Sequence, residues 1–355
     1  MGNREDITTV GVAGLRRREW CRQVAALAAM GVAMQWPRLG AASDSEGSPS
    51  IGSAGTSGTA GNWPTRSITL VVPWPAGGPT DLSMRVLARV AGRELGVPVV
   101  VENKPGAGGV IALGTLLTSP HDGYTIMQLP ITVYRLPYQQ HVTFDPARDI
   151  APILQVSAVT FGVVVNHESR FRSLGEILSF GRSNPGKLVV GSTGYASTPH
   201  LVMADLFDRE GIDYIHVPFK GASDELLALQ SDTIMVGVVG SGYAPLVDKG
   251  QLRLLATFNE ERSPRWPDTP TLKELGYGIA TTSPYGLGAA KGTPTAIIRR
   301  LHDAFRTATL DPEHVAMLRR YDQDVAYLDT AAFSSYLAQA IELEERWSRY
   351  IRPNR

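Results

Sequence analysis

This sequence predicts an α/β fold arranged as two lobes, and three observations predict it. From Trp63 onward, β-rich runs alternate with helical patterns at a steady spacing, which argues for mainly parallel sheets. One construction occurs twice: a short strand, a loop of small residues, then a helix start marked by proline, at Ser67–Leu95 and again at Leu188–Phe207. The 355 residues exceed an ordinary single domain, and 43% apolar content is enough for two cores.

The chain opens with a segment, residues 1–42, that reads as an export signal. Arg16-Arg17-Arg18-Glu19-Trp20-Cys21-Arg22 is similar to the twin-arginine pattern, and the apolar stretch Val24 to Met34 has signal-peptide rather than membrane-spanning length. Gly40-Ala41-Ala42 offers small residues for cleavage; a retained anchor or a cytosolic helix is the alternative. Residues 43–62, nearly all Ser, Gly, Ala and Thr, read as a flexible linker.

The first lobe is expected over 63–165 and 286–355. Ile68 to Val72 is its opening strand. Pro79 suits a first helical position, where the missing N–H has no acceptor to lose, and Asp81 suits the positive end of the helix. Val97 to Val101 and Tyr124 to Leu129 read as strands on either side of a helix from Val110 to Thr118. The β-branched run that ends at Val165 is expected to leave the lobe. The second lobe, 166–285, takes a helix at Leu174 to Arg182 and strands at Leu188 to Val190, Tyr214 to Val217, Thr233 to Val239 and Leu252 to Thr257. Thr198 and Pro199 mark a helix start. Tyr285 to Ala290 reads as the returning strand, followed by a helix from Thr293-Pro294 to about Thr309. An amphipathic tail, Ala331 to Tyr350, is expected to pack on the first lobe.

Composition excludes several functions. Net formal charge is zero and no basic stripe interleaves with aromatics, so nucleic acid is not an expected partner. The single cysteine, Cys21, lies in the leader, so no disulfide is expected in the lobes. The seven histidines lack metal-site spacing, and neither a P-loop nor an ordered dinucleotide fingerprint is present. No cofactor or metal is therefore expected. There is no Gly-x-Ser-x-Gly elbow, because Val190 precedes Ser192 by two residues and Val239 precedes Ser241. The chain reads as a non-enzyme, with a hydrolase of dispersed catalytic groups as the enzyme alternative.

The strand-to-helix loops carry the chemistry. Ala76 to Asp81 and Ser192 to His200 contain no Lys or Arg. A helix start with unbonded N–H groups suits carboxylate oxygens held by backbone amides and hydroxyls. Two such loops facing one gap would hold a small carboxylate and close on it.

The runs VVPWPAGGPTD, VVVENKPGAGG, DGYT, NPGKLVVGSTG, VPFKG, GQLRLLA, ERSPRWPDTPTLKELGY and KGTP, in this order from Ile68 to the C-terminus, resemble the Bug family. These are periplasmic solute receptors of tripartite tricarboxylate transporters. The resemblance implies a type II periplasmic-binding fold of two lobes joined by two crossing strands. It implies a monomer that binds a small carboxylate and serves the membrane components of a tripartite transporter, with a sensor kinase as the alternative reader. Carried over residue by residue, it gives as ligand-binding positions Pro75, Ala76, Gly77, Gly78 and Asp81 in the first loop. Ser192, Thr193, Ala196, Ser197 and His200 follow in the second loop, and Lys220 and Gly221 in a third. Asp81 reads equally as a loop brace, and His200 as a structural histidine. Ser241, between glycines, and Tyr285 stand near the same gap. Trp74, Pro79, Pro199 and the stretch Pro130 to Tyr134 depart from the family's commonest residues, and a bulkier, less polar rim suits an aromatic or apolar acid.

Overall fold

β1 (Ile68–Val72) alternates its side chains between two apolar layers, and this fixes the first lobe. The computed structural model describes residues 62–139 and 141–348. The expected export signal and nearly all of the expected linker lie outside these residues. β1 leads into α1 (Pro79–Leu95), and β2 (Val99–Asn103), α2 (Val110–Thr118) and β3 (Thr125–Leu129) follow. β4 (Ile150–Val159) and β5 (Phe161–Asn166) are separated only by Thr160, yet they belong to different sheets. Then come α3 (Leu174–Ser183), β6 (Leu188–Ser192), α4 (Thr198–Arg209), β7 (Tyr214–Pro218), α5 (Ala222–Gln230), β8 (Val236–Gly240) and β9 (Leu252–Thr257). β10 (Ser283–Ala290) brings the chain back, before α6 (Thr295–Leu310), α7 (Pro312–Arg320), β11 (Val325–Leu328) and α8 (Thr330–Ser348).

The first sheet has the order β11-β4-β10-β3-β1-β2, and the second β7-β6-β8-β5-β9. Both are mixed rather than mainly parallel. β1 is parallel to β2 and β3, and β6 is parallel to β7 and β8, as crossover helices require. β4, β5 and β10 pair antiparallel with their neighbours. β5 and β10 run against the strands joined by helices, whereas β4, on the far side of β10, runs the same way as β1 and β3.

Each sheet is covered on both faces. Ile68, Leu70 and Val72 meet Met84 and Leu87 of α1 and Leu301 and Phe305 of α6. Val71 and Met127 face Leu113 and Leu116 of α2 and Phe333 and Leu337 of α8. In the second lobe, Val163, Val190 and Val238 pack against Ile177 of α3 and Leu206 of α4. Val164 and Val239 face Leu229 of α5 on the other side. Burial of this kind contributes roughly 1.5–3 kcal/mol per large apolar side chain, so each lobe has its own source of stability. α7 and β11 lie beyond what the sequence pattern reveals. β11 is a half-buried edge strand of four residues, too short to show a period. It is held to β4 by bonds from the Gln155 side chain to Ala326 O (2.9 Å) and from Ser157 Oγ to Asp324 O (2.7 Å).

Candidate functional site

The loop between β1 and α1 is built by its own first helical turn. Gly77 takes φ of +79°, which only glycine adopts without strain, and its N–H donates to Asp81 Oδ2 at 2.8 Å. Asp81 is buried, and it also accepts from Asn103 Nδ2 (2.9 Å) and Arg85 Nε (3.0 Å). Burial pushes its pKa up, but the bonds from Arg85, Gly77 and Asn103 outweigh that and hold the carboxyl below its ordinary value. No side chain caps α1: Gly78 is the N-cap and Pro79 follows.

The loop between β6 and α4 repeats the device with different chemistry. The Ala196 N–H donates to Nδ1 of His200, again four residues on, at 2.9 Å. His200 therefore carries its proton on Nε2. Its ring stacks on His216 at 3.8 Å between centroids, with planes 5° apart. Ser192 Oγ donates to Gly194 O (3.1 Å) and so accepts from Nε2 of His216 (2.7 Å). Burial, then the neighbouring His216 and Arg135, push the His200 pKa down to about 3, and burial pushes His216 down to about 4. Ala196 has φ of +59°, a left-handed conformation that disfavours an L side chain. Arg135, fully buried in the first lobe, crosses to this turn: its guanidinium donates to Ala196 O and to Thr198 Oγ1 (2.9 Å) while also pairing with Glu344 of α8.

The loops of the two lobes meet. A Cβ on Gly221 would lie 2.8 Å from Pro75 Cδ, and one on Gly242 would lie 2.7 Å from Pro79 Cγ. Only glycine allows backbone and proline to approach so closely across the seam. The seam encloses a cavity of about 100 Å³. Trp74, Pro75 and Gly78–Thr80 line it from the first loop, and Gln128, Pro130, Ile131 and Thr132 from the end of β3 and beyond. The second lobe contributes Phe161, Thr193, Ser197 to Pro199, Gly221 to Ser223 and Gly240 to Gly242. Ser283, Pro284, Tyr285 and Gln323 complete the wall. Among these lining residues there is no Lys, Arg, His, Asp or Glu. The polar groups are hydroxyls, amides and backbone. Trp74 Nε1 donates to Gln128 Oε1 (3.0 Å), leaving the NH2 end of Gln128 as a donor. Ser197 Oγ is buried with no partner among the described residues. α4 and α5 start, like α1, without a side-chain cap, whereas Ser173 caps α3 and Asp311 caps α7 away from the cavity. α6, also away from it, lacks such a cap as well.

Of the residues expected from sequence, Pro75, Gly78, Thr193, Ser197 and Gly221 stand in the cavity wall. Ala196 and Lys220 line an adjoining recess of about 360 Å³, together with Gly106–Gly109 of the second glycine loop. Ala76, Gly77, Asp81, Ser192 and His200 are in neither wall. Ala76 and Gly77 are exposed on their loop, and the other three shape the loops from behind. Ser192 and His216 have the spacing of a nucleophile and base, but the hydroxyl proton goes to Gly194 O and Ser192 is buried away from the cavity. Ser241 and Tyr285 do line the cavity, with Tyr285 Oη donating to Thr80 O (3.0 Å) and Ser241 Oγ accepting from Gln323 (2.8 Å). Gln128, Gln323 and Arg135 have no signal in the sequence, because each reaches its place only through long-range packing.

The sequence pattern of a family described as tripartite tricarboxylate transporter family receptor (TctC) matches residues 83–353. A protein from the gbd 5' region of Cupriavidus necator is 41% identical over 286 residues, 81% of this chain and 88% of that one. Among solved structures, the periplasmic binding protein BugD superposes with a TM-score of 0.76 at 25% identity, over 80% of this chain and 97% of BugD. An R. palustris protein solved with adipate gives a TM-score of 0.76 at 27% identity, covering 81% of this chain and 98% of its own.

Proposed function

Because this chain belongs to the tripartite tricarboxylate transporter receptor family, we propose that it captures a small carboxylate between its lobes and delivers it to the membrane components of such a transporter. The family and its solved relatives are solute-binding proteins rather than enzymes. The observation that carries the reading is the cavity itself. Loops from both lobes wall it, and the uncapped starts of α1, α4 and α5 stand at it with amides that have no intrahelical acceptor. A carboxylate there bridges the lobes and favours the closed shape, which the membrane partner reads. The adipate held by the R. palustris relative supports the ligand class. Of the expected residues, Pro75, Gly78, Thr193, Ser197 and Gly221 make the contacts, while Asp81, Ser192 and His200 position the loops. The protein acts as a monomer in the periplasm, exported by the twin-arginine route through Arg16 to Arg18. Among the described residues no helix is long and apolar enough to cross a membrane.

A thermal-shift screen of mono-, di- and tricarboxylates, amino acids and neutral analogues tests the reading. A ligand at 100 times its Kd stabilises by about 2.7 kcal/mol, so a carboxylate must raise Tm and its neutral amide must not. Gly221→Val places carbon where Pro75 sits. It is expected to weaken binding by about 100-fold, roughly 2.7 kcal/mol, in calorimetry while both lobes stay folded. Unchanged affinity would remove this seam as the site.

A further inference from the structure

The three helix starts at the cavity are not equivalent. At α1 the positive end is already occupied by Asp81, a buried carboxylate of the same turn; Pro79 removes one amide there, as Pro199 does at α4. At α5, Asp224 lies in the first turn and opposes a second anion. α4 alone has no acidic residue in its first turn. Its first intrahelical bond runs from Leu201 N–H to Ser197 O, so the Thr198 and His200 amides have no intrahelical acceptor. Ser197, only 5% exposed, stands in the cavity wall with its hydroxyl unpartnered among the described residues. Behind the turn, the Arg135 guanidinium is bonded to Ala196 O and Thr198 Oγ1.

Within the cavity a second carboxylate would find no such place; Lys220 stands in the adjoining recess. No cationic side chain lines the cavity, and Trp74, Ile131, Phe161, Pro199 and Pro284 are in its wall. An ion placed against such groups loses hydration without compensation. The volume of about 100 Å³ is smaller than the roughly 150 Å³ apolar cavity that accepts benzene, which limits the body to a few carbons, less than a six-membered ring.

We propose that the ligand is a monocarboxylic acid with a compact apolar body. Its one carboxylate sits at the start of α4 on the Ser197 hydroxyl and the Thr198 amide, and its body lies against the apolar wall. This rests on the receptor reading above and narrows it.

Calorimetry on the purified protein with 3-methylbutanoate, 2-methylpropanoate, malate, adipate and 3-methylbutanamide tests it. The two monocarboxylates are expected to bind at least tenfold more tightly than malate or adipate, and 3-methylbutanamide at least tenfold more weakly than 3-methylbutanoate. Ser197→Ala should weaken the monocarboxylate about tenfold without lowering Tm, since the hydroxyl bonds nothing among the described residues. Ser173→Ala, at a cap remote from the cavity, should lower Tm and leave affinity unchanged. If malate or adipate binds as tightly as the monocarboxylates, the single-charge inference falls and the receptor reading stands. If no carboxylate binds at millimolar concentration, both fall.

Discussion

The two small-residue loops that meet at the seam are built alike and held differently. In each, a side chain in the first helical turn accepts from a loop amide four residues back: Asp81 from Gly77, and His200 from Ala196. The first brace is a charged carboxylate tied to Arg85 and Asn103, all within its own lobe. The second is a neutral imidazole stacked on His216, and its loop is also bonded by Arg135 from the opposite lobe. The first loop therefore keeps its support whether the lobes are apart or together. The second gains part of its support only when they meet, so it is the loop whose shape reports closure.

Breaking the cross-seam bond should have the largest effect. Arg135→Met removes both bonds to the second loop and leaves Glu344 buried without its partner. A loss of about 3 kcal/mol in denaturant unfolding is expected. A loss under about 1 kcal/mol would mean that the second loop does not depend on the seam. Next comes Asp81→Ala, which takes the acceptor from Gly77, Asn103 and Arg85 at once. It should cost about 2 kcal/mol by the same measurement, because a carboxylate bonded inside one lobe contributes more than a neutral pair. A cost equal to that of a surface alanine substitution would remove the brace.

Acid should separate the two loops by pH window. The folded pKa values of His200 and His216, about 3 and about 4, lie below the ordinary 6.5, so below pH 6.5 the unfolded chain binds protons that the folded chain does not. Stability is then full above pH 6.5 and falls by at most about 1.4 kcal/mol per pH unit for each histidine as pH drops toward 4. Asp81 runs in another window: its stabilisation is present above its ordinary 3.8 and is lost only below that, as pH falls through its lowered pKa. His200→Phe keeps a ring on His216 and should reduce the slope between pH 6.5 and 4, read as Tm against pH. An unchanged slope would show that His200 does not titrate with unfolding.

Much of this was legible beforehand where the causes are local. Pro79 and Pro199 mark helix starts by the sterics of their own rings, and the strands Ile68–Val72 and Leu252–Thr257 have the predicted bounds. Asp81 and His200 stand out at the right spacing, but only the fold shows that each turns back to its loop rather than toward the gap. Ser197 and Thr193 stand in the cavity wall and also line the neighbouring recess, where Lys220 stands, and the sequence does not show this placement. Gln323 could not be read in advance, because it enters the wall from a turn before the edge strand β11.

By itself the sequence determined the order of strands and helices apart from α7 and β11, and the small-residue loops between them. Those follow from backbone sterics and from side-chain periodicity within a few residues. Only the tertiary structure decided which helix starts face the seam, that Pro75 lies on Gly221, and that Arg135 reaches the opposite lobe. Those contacts join residues far apart in the chain, and they arise only when two separately cored sheets bring their loop ends together.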